Sequence, residues 1–306
     1  MKAENCLAWN CAGVTDPTLV LNTDGSVSAW FVTIGIRMSS GTYVADGPYI
    51  GRSIGVPGGS MAYSPELPVA PTGAAGTWDR YLETPTVRRN PDSTLTMWYT
   101  GHPNFNVSNT AIGQMVSTDA QGTTWIRGSA PIYTPAPGAW DGSLACGPTV
   151  VKGPDGTWYL YYTGAGTTGA EGVGLLTSTD GAHWTRYGNG PVLAAQPGAW
   201  DSEILEQSAI YFQGQFWMWY SAYRGPLDMK TTPISIGLAT SPDGIHWTRY
   251  TNNPVIGPGA PGTWDDLRVL APDVAVQPDG SLLMIAYGAS KTDLTGGSIG
   301  FWRSLP

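Results

Sequence analysis

The stretch "GLATSPDGIHWTRYTNNPVI", residues 237–256, decides the fold because the chain repeats it. A near copy, "GLLTSTDGAHWTRYGNGPVL", occupies residues 174–193, and a weaker copy, "GQMVSTDAQGTTWIRGSAPIY", occupies residues 113–133. Each copy reads as a strand, a tight turn and a second strand. Self-similarity at a regular spacing is the signature of a repeat architecture, so the hairpin belongs to a larger repeated unit.

Trp-Asp pairs mark the larger unit, and the intervals between them are 62, 60 and 64 residues. The pairs are Trp78-Asp79, Trp140-Asp141, Trp200-Asp201 and Trp264-Asp265. After each pair come an apolar strand, a tight turn, an aromatic strand such as "TWYLYYTG" (157–164), a variable loop and a third strand, which opens the hairpin in the first three of these units. Four strands per unit predict a blade of a β-propeller.

The number of units is five, because residues 16–33 supply the first two strands of an earlier unit whose Trp-Asp pair has become Trp9-Asn10. The last unit stops after its third strand, "SIGFWRS" (298–304). We therefore expect an all-β fold in which residues 1–306 form a single five-bladed β-propeller. The N-terminal strand, residues 3–9, should complete the last blade and close the ring, which removes an exposed sheet edge.

The repeated "TSxDGxHW" is expected to be the turn between the third and fourth strands of a blade. Ser and Asp side chains satisfy turn amides, Gly supplies a positive φ, and the Trp packs between blades. His183 and His246 are then turn residues and not ligands.

Composition excludes several classes of partner. The sequence has 41 Gly, 25 Pro, 14 Trp and 15 Tyr with only 12% charged residues, which is typical of short strands joined by tight turns. A net charge of −8 argues against nucleic acid or an anionic membrane as partner. A neutral ligand such as a sugar is compatible with this charge, and the oligomeric state is left open.

The three cysteines, Cys6, Cys11 and Cys146, are too few for a disulfide scaffold and lack the CxxC pairing of a zinc site. We expect buried free thiols, with a Cys6–Cys11 disulfide as the alternative. Residues 1–12 lack a basic-then-apolar signal pattern, and no run of 18 apolar residues occurs.

Function is expected on the face that carries the loops between second and third strands, because these loops vary while the other turns are uniform. First strands line the central channel of a propeller. Acidic residues lie near the start of four of them: Asp16, Glu83, Glu206 and Asp273. Converging carboxylates are costly unless a ligand, an ion or a mechanism uses them. Glycoside hydrolysis fits best, because one carboxyl must donate a proton while another acts as base or nucleophile.

The five repeats, the "DP" of Asp16-Pro17, the fourth-blade Glu206 and the "TSxDGxHW" hairpins resemble the arabinanase, β-xylosidase and β-fructosidase superfamily of glycoside hydrolases, which includes families 43, 32, 68 and 117. The resemblance covers the whole chain. The hairpin also resembles the Asp-box of sialidases, which have six blades and an arginine triad. The superfamily resemblance implies Asp16 as base or nucleophile and Glu206 as general acid. It also implies an exported protein, with a cytoplasmic one as the alternative.

The chain departs from the family pattern in its third blade. Families 43 and 32 place a further Asp there, and this chain has Cys146-Gly147-Pro148. Either Glu83 or Asp273 takes over that role, or the chain is not a typical member. For Asp273 a structural role is favoured, in which it hydrogen-bonds backbone amides beside the channel. The "NDPNG" and "RDP" strings of family 32 are absent, which lowers the case for a fructosidase.

Further substrate-binding candidates are Asn10, His102, Arg224 and Arg268, although each charged one could equally pair with a nearby acid. No cofactor is required. The resemblance to family 43 allows a structural calcium or sodium ion in the channel, but no ligand string demands one. Two alternatives stay open: a glycoside phosphorylase like those of family 130, with Lys291 as one more basic candidate, and a carbohydrate-binding propeller without catalysis. The sugar, the linkage, and the mode of cleavage are not specified by the sequence.

Overall fold

The protein is a ring of five antiparallel β-sheets arranged as the blades of a propeller. The computed structural model describes residues 13–39, 42–63, 68–104, 109–166, 171–292 and 297–304. The strands are β1 Val14–Leu21, β2 Val27–Ser39, β3 Thr42–Gly55, β4 Met61–Tyr63, β5 Tyr81–Arg89, β6 Leu95–His102, β7 Ala111–Ser117, β8 Trp125–Arg127, β9 Leu144–Lys152, β10 Trp158–Ala165, β11 Gly172–Ser178, β12 Thr185–Arg186, β13 Leu193–Ala194, β14 Glu203–Phe212, β15 Gln215–Tyr223, β16 Ser235–Ser241, β17 Thr248–Arg249, β18 Arg268–Val276, β19 Leu282–Ala289 and β20 Ser298–Arg303.

Each blade is a meander of consecutive strands. Blade 1 is β1 to β4, blade 2 is β5 to β8, blade 3 is β9 to β12 with β13 added to β11, blade 4 is β14 to β17, and blade 5 is β18 to β20. The five-bladed all-β fold is thus confirmed. The fourth strand expected for blade 5, residues 3–9, lies outside the described residues, as do Asn10, Cys6 and Cys11.

Five hydrophobic clusters fill the seams between neighbouring blades. The second strands contribute most, and all eight residues of β6 are buried. A strand that is covered on both faces reads as a continuous apolar and aromatic run, which explains sequences such as "MWYT" and "LYYT". In the last seam Phe31 of blade 1 packs with Leu283 and Ile285 of blade 5, so apolar contact closes the ring.

In blades 2, 3 and 4 the Trp-Asp pair ties the blade together at its entrance. The ring of Trp78 stacks on Tyr99 at 5.9 Å, and the neighbouring Asp79 accepts a hydrogen bond of 3.0 Å from the Tyr99 hydroxyl. Arg127, on the outer strand of the same blade, lies 3.5 Å from that carboxylate. Blades 3 and 4 repeat the arrangement with Asp141, Tyr162 and Arg186, and with Asp201, Tyr220 and Arg249. The repeated aspartates are therefore structural.

The repeated hairpin is stabilised by its own Asp, as the sequence predicts. Asp180 Oδ1 accepts hydrogen bonds of 2.8 Å from the amides of Ala182 and His183, and its Oδ2 lies 2.7 Å from His183 Nδ1. Asp243 and His246 repeat these contacts. Both histidines are exposed turn residues, which confirms that reading. The hairpin Trp247 packs edge-on against Tyr161 of the preceding blade.

The innermost strands are joined by side chains that occupy one equivalent position in each blade: Thr18, Thr86, Thr149, Ser208 and Asp273. Thr18 accepts from Val87 N in blade 2 and donates to Asp273 Oδ2 at 2.7 Å in blade 5. Ser208 of blade 4 donates to Asp273 Oδ1 at 3.0 Å. Arg88 forms an ion pair of 2.8 Å with the same carboxylate. Asp273 therefore links blades 1, 2 and 4 to blade 5.

No helix among the described residues is long and apolar enough to cross a membrane.

We predict that Asp273→Asn lowers the free energy of unfolding by about 2–4 kcal/mol, because it leaves Arg88 without its counter-charge and removes an acceptor from the inner ring. Urea denaturation at neutral pH measures the change. The matched control is Asp279→Asn, which breaks an exposed ion pair with Arg303 and should leave stability unchanged within error. Equal stability of the two variants would contradict a linking role for Asp273.

Candidate active site

The candidate site lies where a bulge in every innermost strand turns toward the channel. In each blade the register of the first and second strands shifts at the same place. A Pro is the second bulge residue in four blades, because a residue without an N–H is tolerated where the ladder is interrupted. The first bulge residues are Asp16, Thr84, Gly147, Glu206 and Ala271. Asp16 and Glu206 therefore occupy the same position in blades 1 and 4.

These bulges enclose one pocket with roughly 280 Å³ of empty space, part of it open to solvent. Its lining consists of Asp16, Pro17, Thr84, Pro85, Thr86, Gly147, Pro148, Glu206, Gln207, Ala271, Pro272 and Asp273. All five blades contribute to it. Asp16 and Glu206, which are far apart along the chain, are thus brought to one cavity, as the sequence predicts.

The Asp16 carboxyl is held where its charged form is disfavoured. Burial raises the pKa of Asp16 well above its ordinary value, and the charges of Glu206 and Glu83 raise it further. Two hydrogen bonds act in the opposite direction: one of 2.9 Å from the Thr15 hydroxyl, and one from the Thr84 amide. Asp16 itself has a left-handed backbone with φ of 48°, a conformation that Asp tolerates better than most residues.

The Glu206 carboxyl shares this environment. Burial raises the pKa of Glu206, its own backbone amide lowers it, and the Glu83 charge raises it again. Its Oε2 is buried and has no hydrogen-bond partner. A buried acceptor without a partner is costly, so this oxygen is available for a ligand group.

Glu83 lies one residue before the bulge of blade 2 and is paired with His102. The Glu83 Oε1 atom is 3.5 Å from His102 Nε2, and the Nδ1–H of the ring donates to the carbonyl of Asn104. Burial lowers the pKa of His102, but Glu83 and the Asn104 carbonyl outweigh it, so the net shift is upward. His102 is only 1% exposed. Among the described residues, His102 makes its polar contacts with Glu83 and Asn104.

Asp273 lies two residues beyond the position of Asp16 and Glu206, deeper in the channel than the sequence alignment placed it. It is 3% exposed, and both carboxylate oxygens accept hydrogen bonds from neighbouring blades. The geometry therefore matches the alternative in which Asp273 binds backbone and side-chain donors beside the channel.

The third blade lacks an acid here for a steric reason. Gly147 has a φ of 60°, and a Cβ on it would lie 3.2 Å from Glu206 Cγ. The Gly147 amide is held by the hydroxyls of Thr84 and Thr100 at 3.1 and 3.0 Å, and its carbonyl accepts from Gln207 Nε2 at 2.6 Å. A larger residue would crowd Glu206, so Gly147 makes room for that side chain.

Cys146 is a free, half-buried thiol beside the pocket. Burial raises the pKa of Cys146 well above its ordinary value, followed by the charges of Glu206, Glu171, Glu83 and Asp16. A thiolate is therefore disfavoured, which excludes Cys146 as a nucleophile at neutral pH.

Glu171 is a site residue that the sequence analysis missed. It directly precedes β11, where Thr110, Ile234 and Gly297 hold the equivalent place in other blades, so a blade-by-blade alignment of loop ends could have revealed it. Burial raises the pKa of Glu171 to about 7, with further contributions from the charges of Glu206 and Glu203. Its Oε2 is buried without a partner.

Of the remaining candidates, Arg224 and Lys291 lie on loops around the mouth, and Arg268 is the first residue of β18. Arg224 is exposed on the loop after β15, and the amide of Lys291 donates to Asp266 Oδ1 at 2.8 Å. Arg268 is 1% exposed and contacts Met229. The structure thus does not bring Arg224, Arg268 or Lys291 to the lining of the acidic pocket.

The described residues offer no group of three or more His, Cys, Asp or Glu side chains that could hold a metal ion. The acid deepest in the channel, Asp273, is already neutralised by Arg88. The described part of the channel therefore does not fit a resident calcium or sodium ion.

No protein-family model and no curated protein matches the sequence. Solved structures do match the fold. A thermostable family-43 glycoside hydrolase has a TM-score of 0.70 at 17% identity, with 95% of this chain and 89% of that chain covered. A structure from the GH130 family of mannoside phosphorylases, which contains hydrolases that target β-1,2 mannosidic linkages in Candida mannan, has a TM-score of 0.71 at 17% identity, with 97% and 86% covered.

A third match is an N-acetylgalactosamine deacetylase from F. plautii in complex with blood group B trisaccharide, with a TM-score of 0.70 at 14% identity and with 99% of this chain and 92% of that chain covered. At these identities the likeness shows the fold alone. The resemblance to five-bladed glycoside hydrolases is confirmed at that level.

We predict that Glu171→Gln raises the free energy of unfolding, relative to wild type, more at pH 8 than at pH 4. The pKa of Glu171 is about 7 in the folded protein against 4.5 ordinarily, so wild-type stability falls as pH rises from about 4.5 to 7. The variant lacks this loss, so the difference in free energy of unfolding between variant and wild type should grow by on the order of 2 kcal/mol from pH 4 to pH 8.

Urea denaturation at several pH values measures this gain. Glu203→Gln, which removes a charge from the same cluster, is the matched control. A constant difference between the Glu171→Gln and wild-type curves across this pH range would contradict the prediction.

Proposed function

We propose that the protein hydrolyses a glycosidic bond with Asp16 and Glu206 as its carboxyl pair. The observation that carries the proposal is their shared bulge position: two acids from blades 1 and 4 line one pocket, and burial raises the pKa of both. Acids with raised pKa values in a cleft are candidates for proton transfer at neutral pH. Glycoside hydrolysis needs two carboxyls on opposite sides of the scissile bond.

The hydrogen bonds favour different roles for the two acids. Asp16 receives hydrogen bonds from Thr15 and Thr84, which partly offset the effect of burial on its pKa and suit a carboxyl that acts as base or nucleophile once it is ionised. Glu206 has a buried Oε2 without a partner, which suits a protonated acid that donates to the leaving oxygen. In the proposed reaction the C–O bond breaks as Glu206 gives its proton to the leaving oxygen. In an inverting reaction Asp16 takes a proton from the water that attacks the anomeric carbon. In a retaining reaction Asp16 attacks that carbon, and water that gives its proton to the deprotonated Glu206 then hydrolyses the glycosyl-enzyme.

Glu83 is proposed as the third carboxyl, in place of the acid that the third blade lacks. Its charge raises the pKa of both Asp16 and Glu206, and the contact with His102 holds it in position. Asp273 is less suited to this role because Arg88, Thr18 and Ser208 already engage it.

The proposed substrate class is a furanoside or a plant-type oligo- or polysaccharide. A neutral sugar fits a pocket lined by carboxyls, and the structural neighbours include enzymes of carbohydrate chemistry. A polymer of this kind is met outside the cell, so we also propose that the protein is exported.

Hydrolysis of 4-nitrophenyl arabinofuranoside, xyloside and galactofuranoside, and of fructan, tests the proposal. Asp16→Asn and Glu206→Gln should each lower kcat by about 10²- to 10⁴-fold on the best substrate, because each removes a proton-transfer or nucleophilic group. Asp155→Asn, at an exposed turn on the opposite face, is the control and should keep wild-type kcat. The anomer of the first product, followed by NMR, distinguishes inversion from retention.

Two outcomes would overturn the proposal in favour of its alternatives. Turnover that requires inorganic phosphate would indicate a phosphorylase. Sugar binding with every hydrolysis rate unchanged in Glu206→Gln would indicate a carbohydrate-binding propeller. The lining of the pocket contains no Arg, Lys or His among the described residues, which favours water over phosphate as the acceptor.

A further inference from the structure

Arg268 is buried and forms no ion pair among the described residues, and the acid whose charge acts on it is Asp228, from the loop that carries Met229. Arg268 is 1% exposed, and its Nε has no hydrogen-bond partner. The two remaining nitrogens both contact Met229: Nη1 lies 3.4 Å from the sulfur, and Nη2 donates to the backbone carbonyl. Burial lowers the pKa of Arg268, which shows the cost of this placement. Because burying this guanidinium is costly, its contacts indicate a role, which is to hold Met229 in place.

The loop that carries Met229 is ordered by its own hydrogen bonds. The Asp228 carboxylate accepts from the Lys230 amide and from the Thr231 hydroxyl, each at 2.8 Å, and the Asp228 amide donates to Thr232 Oγ1 at 2.8 Å. The amide of Gly225 donates to Ser202 Oγ at 3.0 Å. The loop therefore has a fixed shape and is anchored at both ends.

This fixed loop exposes apolar side chains to solvent. Leu227 is 43% exposed and Met229 is 60% exposed. Among the exposed large hydrophobic residues of the described ranges, only these two lie on a loop between a second and a third strand. They therefore stand out on the face where the pocket opens.

The contact with Arg268 places Met229 near the channel. Met229 comes from blade 4 but reaches the innermost strand of blade 5, and the Val269 amide next to Arg268 also donates to Ile234 O at 3.1 Å. Arg268 precedes the pocket residue Ala271 by three positions, which is about 10 Å along a strand. If a sugar occupies the pocket, the next group of the substrate would therefore extend to the level of Arg268 and of Met229, which contacts it.

We propose that Met229, supported by Leu227, forms the wall that contacts the leaving group of the substrate, and that Arg268 is the positioning residue for this wall. The inference rests on the proposed function. Glu206, which would protonate the leaving oxygen, belongs to the same blade as the loop. The class of substrate is a glycoside whose leaving group presents an apolar face, such as an aryl aglycone, since a thioether packs well against aromatic rings.

The test compares two substrates of the sugar that is hydrolysed best: its 4-nitrophenyl glycoside and its glycosyl fluoride, which has no ring to contact. Met229→Ala should lower kcat/KM for the nitrophenyl glycoside about five- to tenfold more than for the fluoride, mainly through KM. Arg268→Lys, which keeps the charge but loses the two-nitrogen contact, should give the same selective loss. Equal effects on the two substrates, or none, would overturn the inference.

Two further measurements keep the outcome decisive. Ile126→Ala removes an equally exposed side chain on the outer strand of blade 2 and should leave the ratio of the two substrates at its wild-type value. If Arg268→Lys fails a thermal-melt check of folding, Asp228→Ala loosens the same loop and takes its place.

If the wild-type protein hydrolyses neither substrate, the proposed function is wrong, and the inference about Met229 is tested separately. Calorimetric titration of the phenyl and methyl glycosides of the tested sugars then decides the inference. Tighter binding of the phenyl glycosides that is lost in Met229→Ala supports the wall. No preference, or no binding of either glycoside, overturns it.

Discussion

The hydrogen bonds between innermost strands are the constraint on which the rest of the structure depends. Blades packed only by apolar contact could slide against each other, since the hydrophobic effect has no direction. The hydroxyls of Thr18 and Ser208, together with Asp273, fix the height of each innermost strand relative to its neighbours. The bulges directly above are thereby brought level, and one pocket is formed from five separate sheets.

The same arrangement explains how a chain with few charges concentrates several of them. The charges of Asp16, Glu83, Glu171 and Glu206 act on one another or on Cys146, and burial disfavours the ionised forms of Asp16, Glu171 and Glu206. Their grouping works against stability, so the scaffold must offset it. The offset comes from features that recur in blades 2, 3 and 4, such as the Trp-Asp pairs and the Asp-stabilised hairpins, whereas the acids occur once. Scaffold and site are thus separable in the sequence itself.

The sequence was sufficient for the features that repeat. The spacing of Trp-Asp pairs predicted five blades, and the alignment of first strands brought Asp16 and Glu206 together correctly. The sequence was insufficient where contacts between blades determine the position or the burial of a residue. Asp273 sits deeper because it stands two residues further along its strand than Asp16 and Glu206 do along theirs, and Arg268 is covered by a loop from the neighbouring blade. Glu171 lies outside the first strands that were aligned, and its interaction with Glu206 arises only because blades 3 and 4 are neighbours.

The position of the proposed carboxyl pair in the chain has a consequence for biosynthesis. Asp16 lies in the first described strand, and Glu206 lies in the fourth blade. A nascent chain carries the first acid long before the second exists, and the two meet only when the sheets curve into a ring. Catalytic competence would therefore arise in one step near the end of folding, so newly made chains would remain inert during synthesis.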